Sequence, residues 1–287
     1  MGNGADRTVR LRDGRRLGYA EWGDPGGRPL LYFHGWPGSR LEGRLADEAA
    51  RAKGVRLIAL DRPGMGLSDY QRRRTLVDWP DDVIQLAAAL GLQRFAVLGI
   101  SGGGPYAAVC AWKLSDQLTR VGIVSSLAPL DVPGVIAGMG RRNRLSFQVV
   151  GRVAVLRRVL FGTMAVSVRR RPDRTLERGV AAAVDKKYLA RPDVRKVLEE
   201  ALSEGFRMGG RGSAWEMGLY TRPWGFRLGD IRTPVHLSHG EQDANATVAM
   251  GRYLATVIPE CQATFYPGEG HLHFVDRLPE ILAALCH

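Results

Sequence analysis

The chain has 287 residues, 45% hydrophobic and 24% charged, the balance of a globular protein that buries roughly three-quarters of its unfolded surface without staples. It contains no run of about 18 apolar residues, which excludes a transmembrane helix. A net charge of +12 leaves nucleic acid, an anionic membrane or an acidic partner open, although the bias to Arg over Lys, with abundant Gly and Ala, also fits a GC-rich genome.

Val9-Arg10-Leu11 leads into the turn Asp13-Gly14, and Leu17 to Trp22 reads as the return strand of a hairpin. Leu30 to His34, Val55 to Leu60, Phe95 to Ile100 and Val121 to Val124 are continuous apolar runs, which suit strands buried on both faces of a parallel sheet. Helical patterns fill the gaps at Leu41 to Lys53, at Leu76 to Leu90 before the stop signal Gly91, and at Gly102 to Leu114. This alternation predicts a doubly wound, mostly parallel α/β sheet with right-handed crossovers. From about Pro129 to about Phe226 the chain reads instead as helices: Arg141 to Arg170, Asp173 to Tyr188 and Pro192 to Met208. In the first, Leu145, Val149, Val153, Leu156 and Leu160 recur at helical spacing. Alternation resumes with strands at Val235 to Ser238 and Ala263 to Tyr266 and helices at Ala246 to Val257 and Leu278 to Leu285. One α/β core, residues 1–128 and 227–287, is thus divided by a helical insertion at 129–226.

Gly99-Ile100-Ser101-Gly102-Gly103 matches G-x-S-x-G, directly after a buried strand and opening a helix, the context a nucleophile elbow demands. Such a turn is strained, and side chains at its glycine positions would collide across it. A serine hydroxyl needs a base. His271, in Pro267-Gly268-Glu269-Gly270-His271 after the last strand run, is placed at the carboxyl edge of the sheet beside the elbow. His273 is its rival. His34 and His236 belong to strand runs and read as satisfied core histidines, while His239 and His287 have no catalytic context. The base needs an acid to hold its tautomer; Asp243 follows the penultimate strand, with Asp131 and Glu241 as alternatives, and the order Ser101, Asp243, His271 is the favoured one. For the oxyanion, Gly102 offers an N–H at a helix N-terminus. The loop His34-Gly35-Trp36-Pro37-Gly38 offers a second, from Trp36, since Pro37 has no N–H.

These segments, together with Asp61-Arg62-Pro63-Gly64-Met65-Gly66-Leu67-Ser68, the elbow continuation Gly104-Pro105-Tyr106-Ala107 and His239-Gly240-Glu241-Gln242-Asp243, resemble the α/β-hydrolase superfamily. The likeness is narrowest to a bacterial serine-hydrolase branch with an S-G-G-G-P-Y-A elbow and a helical cap. It extends over nearly the whole chain. It implies an α/β-hydrolase fold with the cap inserted after the sixth strand, and nucleophile, oxyanion donor, acid and base at the positions named. Trp36 stands where many relatives carry a smaller residue, which implies a narrower pocket mouth. Members with an Asp nucleophile cleave halides or epoxides, and Ser101 argues against both. The 61–68 loop looks like structural support for the elbow.

The expected function is a serine hydrolase that cleaves an ester-type bond, a carboxylic ester, thioester or lactone, through an acyl-enzyme on Ser101, with no metal or organic cofactor. A C–C bond hydrolase or a cofactor-free perhydrolase would use the same residues. A ligand-binding receptor on a hydrolase scaffold would keep them yet turn over very slowly. Charge alone suggests a nucleic-acid or membrane-surface binder, and no motif supports one; the expected partner is a small-molecule acyl substrate. Between Pro129 and Phe226 stand 19 basic and 9 acidic residues, so this stretch carries nearly all of the net charge and would steer an anionic or carrier-bound substrate. Met1 to Arg7 holds no apolar signal stretch, Asp6 occupies the position where myristoylation wants Ser or Thr, and Cys110, Cys261 and Cys286 read as reduced thiols; a cytoplasmic location is the expectation.

Overall fold

An eight-stranded sheet runs through the computed structural model in the order β1-β2-β4-β3-β5-β6-β7-β8. Residues 6–136, 138–180 and 182–286 are described; Met1 to Ala5, on which most of the signal and lipidation reading rests, and His287 lie outside the described residues. β1 (Arg7–Arg10) and β2 (Arg16–Gly23) form the expected hairpin, with Val9 opposite Leu17, and Gly14 closes its turn at φ 84°, a conformation that costs glycine little. β2 lies antiparallel to β4 (Val55–Leu60), and from β4 onward every pairing is parallel. That parallel part comprises β3 (Arg28–Phe33), β5 (Phe95–Ile100), β6 (Leu118–Val124), β7 (Val235–Gly240) and β8 (Cys261–Tyr266).

The continuous apolar runs are explained by two cores, one on each face. All six residues of β5 are buried. α2 (Trp79–Ala89), α3 (Gly104–Lys113) and α10 (Val248–Val257) pack on one face. α1 (Asp47–Ala52) and α11 (Phe274–Cys286) pack on the other. With the strands parallel, the loops after β3, β5, β7 and β8 emerge at a single carboxyl edge, where ligands bind in sheets of this kind.

Between β6 and β7 the elements are helical, but they break where periodicity predicts continuity. Arg141 to Arg170 divides into α4 (Arg141–Gln148), a 3₁₀ turn at Val150–Arg152 and α5 (Ala154–Arg170). The carbonyl of Gly151 leaves the helical ladder to accept from Arg157 Nη1 at 2.5 Å and Thr221 Oγ1 at 2.9 Å. A Cβ there would stand 2.6 Å from the Thr221 methyl. Most of the apolar series at helical spacing does not face a core either: Leu145, Val149, Val153 and Leu156 are 61, 46, 45 and 42% exposed, and of the series only Leu160 is half-buried against the core. Asp173 to Tyr188 likewise divides into α6 (Pro172–Gly179), a 3₁₀ turn at Ala183–Asp185 and α7 (Lys186–Leu189). α8 (Pro192–Gly205) follows; its last residue lies so close to the loop after β3 that a Cβ on Gly205 would meet the Gly38 carbonyl oxygen at 2.4 Å. α9 (Arg211–Tyr220) was not anticipated, because it is buried on nearly every side and carries no amphipathic stripe.

Candidate active site

Ser101 follows β5 without an intervening residue and holds φ at 53°, a left-handed conformation that a non-glycine residue adopts only where its surroundings enforce it. The neighbouring glycines have steric causes. A Cβ on Gly99 would lie 2.3 Å from the Gly103 carbonyl oxygen, and one on Gly103 would lie 2.1 Å from that of Phe33. The helix that starts at the elbow must pack directly on β3 and β5, so only hydrogen fits. The serine is left partly exposed at the mouth of the turn.

The loop after β8 brings His271 to the same edge. Its Nδ1 lies 2.7 Å from Asp243 Oδ2, at the end of the loop after β7. The other oxygen, Oδ1, accepts the N–H groups of Asn245 at 2.8 Å and Ala246 at 2.9 Å, which fixes the carboxylate plane. Burial pulls the imidazolium down, but the charge and hydrogen bond of Asp243, with smaller contributions from Asp185 and Glu42, outweigh it and raise the His271 pKa above its ordinary value. Asp131 is exposed, and Glu241 pairs with Arg252 at 3.0 Å, so neither alternative acid is held against His271.

The remaining described histidines are otherwise engaged. His273 Nε2 meets Ser238 Oγ at 2.8 Å and its Nδ1 faces the Gly270 carbonyl at 3.1 Å; burial pushes its pKa down to about 4. His34 is fully buried, with Nδ1 on the Gly35 carbonyl, and burial followed by the Arg62 charge keeps it neutral. His236 is half-buried in β7, and burial lowers it as well. His239, which sequence reasoning set aside, abuts Asp243: its Nε2 donates to the Ala246 carbonyl at 2.8 Å and lies 3.5 Å from Asp243 Oδ2.

Trp36 and Gly102 adjoin each other, since a Cβ on Gly102 would meet Trp36 Cβ at 2.5 Å and Trp36 N at 3.4 Å. The indole donates to the Ser213 carbonyl at 3.3 Å and packs on Phe161 and Tyr220, with ring centroids 5.2 and 5.4 Å away. Beneath this pair lies a buried network that no local pattern signalled. Glu216 of α9 receives Arg62 Nε at 2.7 Å and Arg74 Nη2 at 3.0 Å. Burial alone would push its carboxyl up, but the two guanidiniums hold it down at about 2. Arg62 also donates to the carbonyls of His34 and Gly35, and Tyr220 Oη donates to the Gly102 carbonyl at 2.9 Å. The 61–68 loop and α9 therefore hold the backbone just before Trp36 and at Gly102. Such a buried charge is strongly destabilising once a partner is lost, by about 3–5 kcal/mol.

Two further carboxylates were missed. Asp185, fully buried, reaches from the inserted segment to accept the N–H groups of His271 at 2.9 Å and Leu272 at 2.8 Å. Glu42 accepts the Gly35 N–H at 2.7 Å and the Tyr32 hydroxyl at 2.8 Å. Ser101, Gly102, Trp36, Glu42 and His271 all line one cavity of about 610 Å³, roofed by Phe147, Leu160, Phe161 and Met164 of the inserted helices. A largely apolar cavity of this size with a few convergent polar groups suits a small organic ligand. Among the described residues, no cluster of His, Cys, Asp and Glu is arranged to hold a metal ion, the three cysteines are free, and no helix is long and apolar enough to cross a membrane.

A family model described as "alpha/beta hydrolase fold" matches residues 28–278. Among characterised proteins, the chain is 33% identical over 127 residues to a non-heme chloroperoxidase of Streptomyces lividans, a stretch covering 44% of this chain and 46% of that one. It is 32% identical over 127 residues to a bifunctional esterase/perhydrolase of Acinetobacter calcoaceticus, covering 43 and 46%. The matches thus span less than half the length of these relatives. In fold, the chain superposes on the crystal structure of a bromoperoxidase from Bacillus anthracis with a TM-score of 0.72 over 98% of both chains, at 18% identity.

Proposed function

Because the chain belongs to the alpha/beta hydrolase fold family, we propose that it is a serine hydrolase acting on small acyl substrates through an acyl-enzyme on Ser101. The observation that carries this reading is the strained Ser101 opening into the cavity that His271 also lines, with Asp243 on the far nitrogen of that imidazole. Asp243 keeps the proton on Nδ1, so Nε2 is the basic nitrogen. As Ser101 Oγ attacks the acyl carbonyl, Nε2 takes its proton, and the N–H groups of Trp36 and Gly102 receive the developing oxyanion. The imidazolium then protonates the leaving group. Water, deprotonated by the same nitrogen, attacks the acyl carbon and releases the acid, and Ser101 recovers its proton. The helices of residues 129–226 act as the cap that roofs the site, in keeping with the S-G-G-G-P-Y-A branch. Arg142 and Arg178 on the cavity lining suit an acyl group with an anionic end.

The likeness to an esterase/perhydrolase favours a second reading on the same residues. Hydrogen peroxide in place of water would attack the acyl carbon, leave a peracid and return the proton to Ser101.

Treatment with a fluorophosphonate followed by intact-mass and peptide spectrometry is expected to give one adduct, on Ser101. An adduct on Ser39, Ser68 or Ser238 overturns the assignment. A panel of carboxylic esters, thioesters and lactones, run with and without peroxide, then separates the two readings. The base must be neutral to accept the Ser101 proton. Activity should therefore rise with pH, and because Asp243 raises the His271 pKa, the rise is expected to be centred above about 6.5. A kcat/KM profile flat from pH 5 to 9, with chemistry rate-limiting, would contradict the role of His271.

A further inference from the structure

The exposed apolar side chains of this protein are not scattered. Eight large ones stand out among the described residues, and seven of them lie between Leu145 and Val166, on α4, α5 and the turn that joins them. α5 buries Phe161, Ala165 and Val168 on its inner side. On the outer side, at about 3.6 residues per turn, Val155, Val159, Gly162 and Val166 fall within an arc of about 60°. Val155 is 66% and Val159 58% exposed, and a Cβ on Gly162 would meet nothing within 4 Å. A contiguous exposed apolar patch rimmed by polar residues marks an interaction surface. α5 has a core on one side only.

The same thirty residues, 141–170, hold eight arginines and no Asp or Glu. All but Arg157 are exposed. Elsewhere in the inserted segment, several cations do meet carboxylates: Lys187 meets Glu269 at 2.8 Å, Arg191 meets Asp276 at 2.7 Å and Arg195 meets Glu177 at 2.6 Å. No acidic partner falls to the exposed arginines of α4 and α5 among the described residues. Arg158 and Arg169 flank the valine stripe on one side and Arg170 on the other, by the same helical arithmetic.

We propose that this face docks the protein on an anionic lipid surface. Apolar side chains standing between unpaired cations match a bilayer boundary, where acyl chains and acidic headgroups lie within one layer. A second copy of the chain would set two positive faces together with no acidic residue on the segment to offset them, and a nucleic acid would leave the valine stripe unused. A surface docked here lies against the outer side of the helices whose inner side roofs the cavity. The proposal does not depend on the serine-hydrolase reading, since docking uses no residue of the proposed triad.

Sedimentation of the full chain with vesicles of pure phosphatidylcholine, and with vesicles containing one-third phosphatidylglycerol, tests it, alongside light scattering of the free protein. The expected result is binding to the anionic vesicles, weakened at least ~10-fold by salt at 1 M or by Arg158→Glu with Arg169→Glu. Val155→Gln with Val159→Gln should weaken it similarly while leaving the circular dichroism and thermal midpoint of the free chain unchanged. Ser101→Ala should bind like wild type, so loss of catalysis and loss of docking are read separately. Equal binding to both vesicle types, or binding to neither, overturns the proposal. So does a stable dimer that the valine substitutions disperse.

Discussion

Replacing Ser101 by Ala is expected to lower kcat by about 10⁴ to 10⁶ while the protein stays folded. The loss is large because the Trp36 and Gly102 donors and the cavity remain, but nothing is left to form the acyl bond. The folded state should tolerate the change well. Ser101 is held at φ 53° by Gly99, Gly103 and the packing of α3 on β5, not by a hydrogen bond of its own side chain to another described residue. An L-alanine pays the same left-handed penalty, so the thermal midpoint should stay close to wild type. Measured kcat on the best ester of the panel, beside a melting curve, distinguishes loss of the nucleophile from loss of structure. Residual activity above about one-hundredth of wild type in the folded variant would remove Ser101 from the mechanism.

The elbow was legible because its cause is local. A strand buried on both faces, a serine and glycines on either side lie within a dozen residues, and the collision that excludes a side chain at Gly99 is with Gly103 and Ala107 of the same turn and helix. The parallel sheet was legible for a similar reason: each strand carries its own apolar run, and the loops between runs are helical. Asp185 and Glu216 were not legible, because a buried charge is made acceptable by partners far away in the chain. Glu216 is paired by Arg62 and Arg74, more than 140 residues earlier, and Asp185 takes N–H groups 86 and 87 residues later. Nothing in their neighbours distinguishes them from solvated carboxylates. α9 escaped notice because burial on all sides erases the periodicity by which a helix is recognised. The series from Leu145 to Leu156 misled in the opposite sense. Its spacing is helical, but the helix breaks at Gly151 and much of the series faces out.

Asp185 also changes how the inserted segment relates to the proposed chemistry. The loop bearing His271 is gripped from two sides, by Asp243 at the imidazole and by Asp185 at the backbone. Asp243 comes from the sheet and Asp185 from the insertion. The segment between β6 and β7 thus contributes both to the lining of the cavity and, through Asp185, to the placing of the His271 backbone.

The second large effect is expected at Asp243. Asp243→Asn should lower kcat by about 10⁴, which corresponds to about 5.4 kcal/mol of barrier. An asparagine of nearly the same shape can keep its carbonyl oxygen on the N–H groups of Asn245 and Ala246, so the loop should hold. That choice turns the amide nitrogen toward His271 Nδ1. The imidazole then accepts there and carries its proton on Nε2, where it can no longer take one from Ser101. The lost negative charge also withdraws the main support for the imidazolium, so the rising limb of the pH profile should move to lower pH as kcat falls. A purely structural role would lower stability without moving that limb. Asp131→Asn is the control: Asp131 is exposed, and its replacement should change kcat less than about tenfold. If the two substitutions come out reversed, the acid lies after β6 and the hydrogen bond between Asp243 and His271 is not the one catalysis uses.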